Sequence, residues 1–459
     1  MINQALIEHY RCPDRFAEFT LAGELSACAG YFRFGEESIC YGQFASGSPA
    51  KLSSDDLCDA AAHTTTDGLT LRLPFEPKQI IDNLRLERYV ANPHEDGRGL
   101  GLRSAVRSAY YIVRPALPVQ VRKHLQRFHL SGWEKIRFPR WPVDRTVEHI
   151  FERQLALLLR AGSVESIPFI WFWPHGSPSC AIVTHDVETA VGRDFCSELM
   201  DVDEAMAIKS SFQIIPESRY AVTSRFLDDI RERGFEVNVH DLNHDGHLFR
   251  DRGEFLRRAE RINRYRKDFQ ASGFRSAVLY RNLDWYDALD FPYDMSVPNV
   301  AHLDPQRGGC CTVMPYFIGK ILELPLTTTQ DYSLFHILDD YSIELWKRQI
   351  ALITEKHGLV SFNVHPDYIH EKRARQAYQA LLDHLARLRA ERKIWIALPR
   401  EVNQWWRERS QMRLTGRGNR WEIEGPGKER ARVAHATLEG NGVVYRLEGA
   451  TRPPATEEA

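Results

Sequence analysis

The sequence predicts an α/β protein whose central part is a (β/α) barrel. Between Cys180 and about Pro399, short apolar runs alternate with longer amphipathic helical patterns, which is typical of parallel βα units. Up to eight such runs are present, and this number favours a barrel over an open sheet. The helical segment "SRFLDDIRERG" ends at Gly234, a residue type suited to the end of a helix.

The candidate strands are apolar runs, each short and bounded by polar or turn-forming residues. In chain order they read "CAIVT", "SSFQIIP", "FEVNV", "SAVLY", "YDMSV", "ILELPL", "LVSFNV" and "IWIAL". Helical patterns such as "RQAYQALLDHLARLRAERK" separate several of them. We therefore expect parallel strands whose carboxyl ends share one face of the barrel.

Three regions differ in their sequence pattern. Residues 1–165 are predicted to form a mixed α/β accessory region, with a strand at "LTLRLPFEP" and helices at "VQVRKHLQRFHL" and "VEHIFERQLALLLRAG". Residues 166–400 are assigned to the barrel. Residues 401–459 are predicted to be a small β-rich appendage, since "RWEIEG" and "GVVYRLEG" alternate in polarity. Its last residues, "RPPATEEA", are expected to be disordered.

Composition narrows the class of protein. With 60 basic and 62 acidic residues the net charge is −2, so no overall field favours nucleic acid. The uncharged stretch 166–184 is interrupted by prolines, which argues against a transmembrane helix. Eight scattered cysteines without a visible secretory signal favour reduced thiols and a cytoplasmic location. The segment "NQWWRERSQMR" is either a peripheral membrane contact or an amphipathic helix packed on the barrel.

Polar side chains that can bind a metal or move a proton recur beside the candidate strands. "CAIVT" is followed by His185-Asp186-Val187-Glu188, and "FEVNV" by "HDLNHDGH", which contains His240 and His244. Arg275 lies beside "SAVLY", and His365 follows "LVSFNV". In a parallel barrel, loops at the carboxyl ends of the strands converge on one site. The pattern therefore predicts an active site on that face.

Each feature also has an ordinary structural explanation. Asp186 can cap a helix whose first turn holds Glu188. A pair of histidines four residues apart can lie in a solvated loop, although such a pair on a helical turn can also bind one Zn²⁺-like ion. Arg275 can be a surface residue. It is the recurrence of these residues at several strand ends that favours a metal-dependent site.

The segment from Cys180 to His365 resembles a polysaccharide deacetylase domain of carbohydrate esterase family 4, the NodB-homology type. The family's Thr-Phe-Asp-Asp motif corresponds to Thr184-His185-Asp186-Val187, and its His-x₃-His motif to His240 and His244. Its last motif, an apolar run ending in His-Pro, corresponds to "SFNVHPDY". The third motif keeps its arginine at Arg275, but alanine stands where proline is expected. The resemblance covers about half of the chain, with the motifs in the family's order.

The resemblance implies a distorted barrel of seven or eight strands and a divalent metal, most often zinc. It implies that Asp186 is the general base and His365 the general acid. Arg275 would hold the base in position. The family also has an acidic residue that tunes the general acid, and Asp294, near the start of "YDMSV", is the candidate.

The metal ligands implied by the resemblance are His240, His244 and a carboxylate. The family's second aspartate falls on Val187, which cannot bind a metal, so Glu188 is the candidate carboxylate. The spacing leaves other third ligands open, and these are His185, Asp241 and His247.

The expected function is removal of acetyl or other N-acyl groups from a carbohydrate by metal-activated water. The aromatic residues Tyr280, Trp285 and Tyr368 could stack on a sugar or simply cover the rim of the barrel. Because no secretory signal is visible, a cytoplasmic location is expected, and this location suggests a bacterial surface-polysaccharide precursor as substrate. One alternative is a related amidase acting on a small amide. The other is a degenerate carbohydrate-binding or scaffold domain, which Val187 and Ala277 would favour.

Overall fold

The structure, a computed structural model, describes residues 1–45, 57–90, 130, 132–162, 164–417 and 420–449. Nearly all of the helix predicted at 119–130, and the tail predicted to be disordered at 452–459, lie outside the described residues. Nineteen strands are found within those ranges. They are β1 (Phe19–Leu21), β2 (Gly30–Arg33), β3 (Ile39–Gly42), β4 (Thr65–Asp67), β5 (Thr70–Leu73), β6 (Ile167–Ile170), β7 (Cys180–Val187), β8 (Ser211–Ile214), β9 (Glu236–His240), β10 (Gly273–Arg275), β11 (Tyr293–Asp294), β12 (Tyr316–Ile318), β13 (Ile321–Glu323), β14 (Leu359–Asn363), β15 (Trp395–Ile396), β16 (Arg413–Arg417), β17 (Arg420–Glu424), β18 (Val433–Glu439) and β19 (Gly442–Leu447).

The helices of the described residues are labelled α1 to α10. They are α1 (Gln4–Tyr10), α2 (Pro77–Arg85), α3 (Thr146–Arg160), α4 (Ala190–Ala205), α5 (Ser224–Glu232), α6 (Arg252–Asp268), α7 (Glu344–Thr354), α8 (Pro366–Ile369), α9 (Lys372–Ala390) and α10 (Pro399–Gln411). None of them combines the length and the apolar composition that crossing a membrane requires.

The chain forms two compact units that do not follow the boundaries predicted at 165 and 400. Of the described residues, those within 1–82, 146–178 and 404–449 form the first unit, and those within 83–145 and 179–403 form the second. The reason lies in long-range strand pairing: β6, which precedes the barrel, is antiparallel to β18 near the end of the chain. Local patterns do not reveal a pairing over such a sequence distance.

The first unit contains small sheets and the amphipathic helix α3. Its sheets have the strand orders β1-β5-β4, β2-β3, β19-β18-β6 and β16-β17. Helix α3 buries a stripe at helical spacing that includes Ile150, Phe151, Leu155 and Leu158. The strand predicted at "LTLRLPFEP", the helix at "VEHIFERQLALLLRAG" and the β-rich character of the C-terminal region are confirmed.

The second unit is built on one curled sheet that forms an incomplete barrel. Its order is β12-β13-β11-β10-β9-β8-β7-β14, with β15 also paired to β7, and every pair is parallel except β12 with β13. The segment after β13 reaches β14, where Thr328 N donates to Ser361 O at 3.3 Å and Ser361 N donates to Thr327 Oγ1 at 2.9 Å. The predicted fold class, α/β with a distorted barrel, is confirmed.

The barrel strands are buried on both faces, as parallel strands covered by helices must be. All eight residues of β7 are buried. The strand is longer than predicted: it continues past Thr184 to Val187, so His185 and Asp186 belong to the strand itself. Successive side chains of a strand point to opposite faces, and this alternation separates Asp186 from its two neighbours.

The prediction of a strand at "SAVLY" is wrong. Residues Ala277–Leu279 form a 3₁₀ turn, and the strand lies just before it at β10. Val278 has φ 59° and Leu279 φ 54°, conformations that interrupt an extended chain. The turn is held by a hydrogen bond from Ala277 N to Asp241 Oδ2 of 3.3 Å. An apolar composition alone did not distinguish a buried turn from a strand.

Candidate functional site

Six of the predicted polar residues converge at the carboxyl ends of strands β7, β9, β10 and β14. Each of these strands ends at or just before one of the six residues, and because the strands are parallel, their carboxyl ends bring the six side chains together. The residues are Asp186, Glu188, His240, His244, Arg275 and His365, and all but Glu188 are buried.

Asp186 is held by two donors. Its Oδ1 accepts a hydrogen bond from Arg275 Nη1 at 2.9 Å, and its Oδ2 accepts one from Asn363 Nδ2 at 2.8 Å. Burial raises the pKa of Asp186, but the positive charge of Arg275, together with His240 and His365, outweighs burial and lowers this pKa to about 2. The carboxylate is therefore ionised at neutral pH and has a fixed orientation.

Arg275 is a positioning residue. Its side chain is fully buried, and besides Asp186 it donates to Thr184 Oγ1 at 2.8 Å and to Met295 O at 2.9 Å. A guanidinium group presents several donors in a rigid plane, so these contacts fix both the arginine and the carboxylate. The proline expected from the family at position 277 is not needed for this arrangement.

Glu188, His240 and His244 form a cluster that could hold a metal ion. One ligand atom from each lies within 4.8 Å of the others, and Glu188 Oε1 is 2.9 Å from His244 Nε2. His240 Nδ1 is 3.1 Å from the backbone oxygen of Arg275, so this nitrogen carries the proton and the lone pair is on Nε2. The Nε2 atom is buried and has no hydrogen-bond partner within the described residues.

The electrostatics of His240 and Glu188 suit metal binding. Burial lowers the pKa of His244, but the Glu188 carboxylate outweighs burial and raises this pKa, so His244 has to give up a proton when a metal binds. Burial lowers the pKa of His240 to about 4 despite the opposing charge of Asp186, so its imidazole is neutral at pH 7. Burial raises the pKa of Glu188, but His244 more than offsets this and holds the pKa well below its ordinary value. A neutral imidazole and an ionised carboxylate are the forms that bind a metal.

The chain brings Glu188 into this cluster at the end of β7. Val187 itself is fully buried in the apolar core. After Val187 the strand ends, and Glu188 N donates to Asp367 Oδ2 at 2.9 Å. The longer glutamate side chain then reaches His244. A carboxylate is in this way available one residue beyond Val187, as Glu188 was expected to provide.

The other candidates for a third ligand lie elsewhere. His185 faces away from the site, with Nε2 at 3.2 Å from Asp203 Oδ2 and Nδ1 at 2.9 Å from Val364 O. Asp241 accepts from the backbone of Leu242 and Ala277. His247 is exposed, at 3.7 Å from Asp245. Of the four candidates, Glu188 is the one that meets both histidines.

His365 faces the same cluster from the end of β14, the strand paired with β7. Its Nε2 is 3.9 Å from Asp186 Oδ2 and 3.7 Å from Glu188 Oε1. Its Nδ1 lies 2.6 Å from Asp331 Oδ1, and its backbone N donates to Asp331 Oδ2 at 2.7 Å. Burial lowers the pKa of His365, but the Asp331 carboxylate outweighs burial and raises it to about 10. The imidazole is therefore charged at neutral pH and can donate a proton from Nε2.

The acidic residue that contacts His365 is Asp331, not Asp294 as expected from the sequence. Asp294 lies in β11, and its carboxylate accepts from Ser296 N and Oγ at 3.0 and 2.8 Å. Asp331, in "TTTQDYS", is the first residue of the short helical segment that follows β13. It was missed because it does not directly follow a strand. The signal available was its place on the carboxyl side of β13, where barrel loops gather catalytic groups.

The three predicted aromatic residues differ in their surroundings. Tyr368 is half-buried, with its ring centroid 5.1 Å from that of His365. Tyr280 is also half-buried and lies against Gly246, in the loop that carries His244. Trp285 is half-buried as well, and it packs against the core with its ring centroid 5.5 Å from that of Phe255 and the two rings tilted by 44°. Tyr368 is thus placed beside the site, whereas Trp285 packs against the apolar core.

Comparison with known proteins finds a likeness at the level of solved structures. No protein-family model matches the sequence, and no curated protein matches it. A Mycobacterium smegmatis protein assigned as a polysaccharide deacetylase is 16% identical, with 52% of this chain and 93% of the other covered and a TM-score of 0.41. The PuuE allantoinase is 12% identical, with 51% of this chain and 92% of the other covered and a TM-score of 0.41.

A third structure is a family 4 acetyl xylan esterase from Clostridium thermocellum in complex with a cobalt ion. It is 11% identical, with 50% of this chain and 91% of the other covered and a TM-score of 0.32. Identities of this order and TM-scores below 0.5 do not carry a functional assignment. Any function of this chain therefore has to be argued from the side chains of its site.

Proposed function

We propose that the second unit is a metal-dependent hydrolase that removes an N-acyl group from a carbohydrate. The observation that carries this proposal is the convergence of three kinds of group. A carboxylate that is ionised at pH 7 (Asp186), an imidazolium ion (His365) and a His-His-Glu cluster face one another at the barrel rim, with Nε2 of His365 3.9 Å from Asp186 Oδ2. An ionised general base and a protonated general acid, next to residues that can bind a metal ion, are the groups that metal-assisted hydrolysis of an amide uses.

The residues present fit a divalent metal. His240 offers a buried, unpaired Nε2 lone pair, and Glu188 offers a carboxylate. Two imidazoles and one carboxylate are a common set for catalytic zinc, which keeps open positions for water and substrate. When bound, the ion would supply Lewis-acid activation of water and of the acyl oxygen. We propose zinc for this reason.

The reaction proposed for these residues is hydrolysis of an amide. Asp186 accepts a proton from water as the water oxygen bonds to the acyl carbon. His365 Nε2 donates a proton to the nitrogen as the C–N bond breaks, giving a carboxylic acid and a free amine. Arg275 keeps Asp186 ionised and oriented. Asp331 keeps His365 protonated and turned toward the site.

A carbohydrate is the proposed substrate because of the motif order described above and because half-buried Tyr368 lies beside His365. Aromatic rings at such a position can stack on the apolar face of a sugar. The surface-polysaccharide precursor, the cytoplasmic location and a peripheral membrane contact stay predictions. The non-catalytic alternative is less well supported, because Glu188 supplies the carboxylate whose absence at Val187 favoured it.

The test is an assay of acid release from N-acetylated chitooligosaccharides by the zinc-loaded protein, with a small amide such as allantoin in parallel. We expect turnover of the sugar and a loss of about 10²–10⁴-fold in kcat/KM for Asp186→Asn and for His365→Gln. His247→Gln, a change at an exposed histidine, is the control and should keep full activity. Turnover of the small amide alone would move the assignment to an amidase. Absence of turnover on both, with zinc bound, would refute the proposal.

A further inference from the structure

Arg219 lies at the rim of the candidate site and is not used in the proposed reaction. It belongs to the loop after β8, the strand that pairs with β7 on one side and β9 on the other. Strand β7 leads into Glu188, and β9 leads into His240 and His244. Because loops at the carboxyl ends of parallel strands gather at one face, Arg219 lies against His244. Its Nη2 is 3.0 Å from His244 Nδ1 and donates to the backbone oxygen of His244 at 3.1 Å.

The loop that carries Arg219 is fixed on both sides of this residue. On one side, Glu217 N donates to Leu242 O at 3.0 Å. On the other side, Tyr220 Oη donates to Val187 O at 2.7 Å. Leu242 and Val187 belong to the segments that also carry the histidine pair and the glutamate of the cluster. The loop therefore presents Arg219 at a defined place beside the site.

The guanidinium group of Arg219 is exposed and has no carboxylate partner within the described residues. Its two contacts to His244 both use Nη2, so the N–H groups of Nε and Nη1 bond no acceptor in that part of the chain. Glu217, the acidic residue of the same loop, bonds Arg261 instead. Three arginines of neighbouring segments are each paired with a carboxylate: Arg193 with Asp194, Arg225 with Asp229 and Arg258 with Asp245. Arg219 thus offers a permanent positive charge and free donors to a bound molecule.

Solvent reaches the groups on both sides of the His244 imidazole. Arg219, on the Nδ1 side, is exposed, and the side chain of Glu188, on the Nε2 side, is 21% exposed. One imidazole ring separates these two groups. Glu188 Oε1 is in turn 3.7 Å from Nε2 of His365, the proposed proton donor. A sugar whose acyl nitrogen lies at His365 can therefore place another substituent of the same ring, or of the adjoining ring, at Arg219.

We propose that Arg219 is a substrate-binding residue that selects an N-acyl sugar carrying an oxyanion, either a phosphate or a carboxylate. This inference rests on the proposed function and names the substrate class of that site. The N–H groups of Nε and Nη1 donate to the oxygens of such a group, and hydrogen bonds between a guanidinium and an oxyanion are among the strong ones. A neutral sugar leaves these donors to water. The hydrolysis of the amide is unchanged.

The first measurement is kcat/KM of the zinc-loaded protein for N-acetylglucosamine, its 1-phosphate, its 6-phosphate and N-acetylglucosaminuronic acid. We expect wild type to prefer at least one anionic sugar over the neutral one by about tenfold or more. Arg219→Met should bring this ratio close to one, and Arg219→Lys, which keeps the charge, should retain part of it. Arg225→Met is the matched control at an exposed arginine of helix α5, and it should keep the wild-type ratio. If Arg219 only held His244 in place, its loss would lower kcat/KM for neutral and anionic sugars alike and leave the ratio unchanged, which would overturn the proposal.

A second measurement does not depend on turnover. Calorimetric titration of zinc-loaded wild type, Arg219→Met and Arg225→Met with the deacylated forms of the same four sugars gives the ratios of their Kd values. A preference for phosphate or for carboxylate that falls about tenfold in Arg219→Met and is retained in Arg225→Met supports the proposal and identifies the oxyanion. A wild type without any anionic preference, or a preference that is equal in wild type and Arg219→Met, overturns it. If none of the N-acetyl sugars is hydrolysed, the proposed function fails, while the titrations still decide the role of Arg219.

Discussion

Replacing Arg275 with methionine is expected to lower the free energy of unfolding of the barrel unit by about 3–5 kcal/mol. Arg275 is 0% exposed and donates to Asp186, Thr184 and Met295 at 2.8–2.9 Å. Methionine retains much of the volume but none of these donors. Asp186, also buried, would lose the guanidinium that holds its pKa at about 2, so that keeping its charge and taking up a proton would both cost free energy. A buried ion pair with one partner removed is among the most destabilising changes known.

The interaction energy between Arg275 and Asp186 can be isolated by a double-mutant cycle that combines Arg275→Met with Asp186→Asn. Each single change leaves one charge or one set of donors unpaired, whereas the double change removes both charges. We expect the loss in the double variant to be smaller than the sum of the single losses by about 2–3 kcal/mol. Arg225→Met is the control, since that side chain is 91% exposed, and it should change stability by less than about 0.5 kcal/mol.

The assay is urea unfolding followed by circular dichroism in the presence of EDTA, so that metal binding does not contribute to stability. The midpoint and the slope give the free energy of unfolding for the transition of the barrel unit. A loss below about 1 kcal/mol for Arg275→Met, or single losses that simply add, would contradict the contacts described for Arg275.

Further predictions concern the acid, the pH dependence of stability and the aromatic residues. Asp331→Asn removes the carboxylate that raises the pKa of His365 to about 10, so the alkaline limb of the kcat/KM profile should move down by about 1–3 pH units, and an unmoved limb would exclude this role. Burial raises the pKa of Glu236 from 4.5 to about 7, so the stability that its neutral form provides is complete below pH 4.5 and lost as pH rises through 7. Thermal unfolding at a series of pH values should show that the free energy of unfolding of wild type falls by about 3 kcal/mol across this range, whereas that of Glu236→Gln does not. An equal dependence of stability on pH in the two proteins would refute this role of Glu236. Tyr368→Ala should raise KM for the sugar with little effect on melting temperature, whereas Trp285→Ala should lower the melting temperature by several degrees, and the reverse pattern would contradict their placement.

The barrel could be predicted from local sequence because its strands are buried on both faces. Runs such as "CAIVT" and "LVSFNV" are mostly apolar and each leads into a polar group, so both the strand and its functional end are visible. The unit boundaries were not visible. The pairing of β6 with β18 joins residues more than 260 positions apart, and neither strand carries a signal for the other.

The site shows the same division between local and long-range information. Asp186, His240, His244 and His365 follow strands directly, and parallel strands bring their carboxyl ends together. Asp331 comes from the start of a short helical segment that no sequence pattern indicated, and only the folded chain shows that it meets His365. Asn363 was hidden for a different reason: a polar residue within a mostly apolar run does not reveal whether its side chain faces a site or a core.

Glu188, His240 and His244 are proposed to bind one divalent metal ion together. Equilibrium dialysis of the purified, EDTA-treated protein against zinc, followed by elemental analysis, tests it most directly. We expect close to one zinc per chain in wild type and in His247→Gln, and a loss of tight binding in His240→Ala/His244→Ala and in Glu188→Ala. Zinc that is retained equally in these variants, or absent from wild type, would contradict the assignment of this cluster as a metal site.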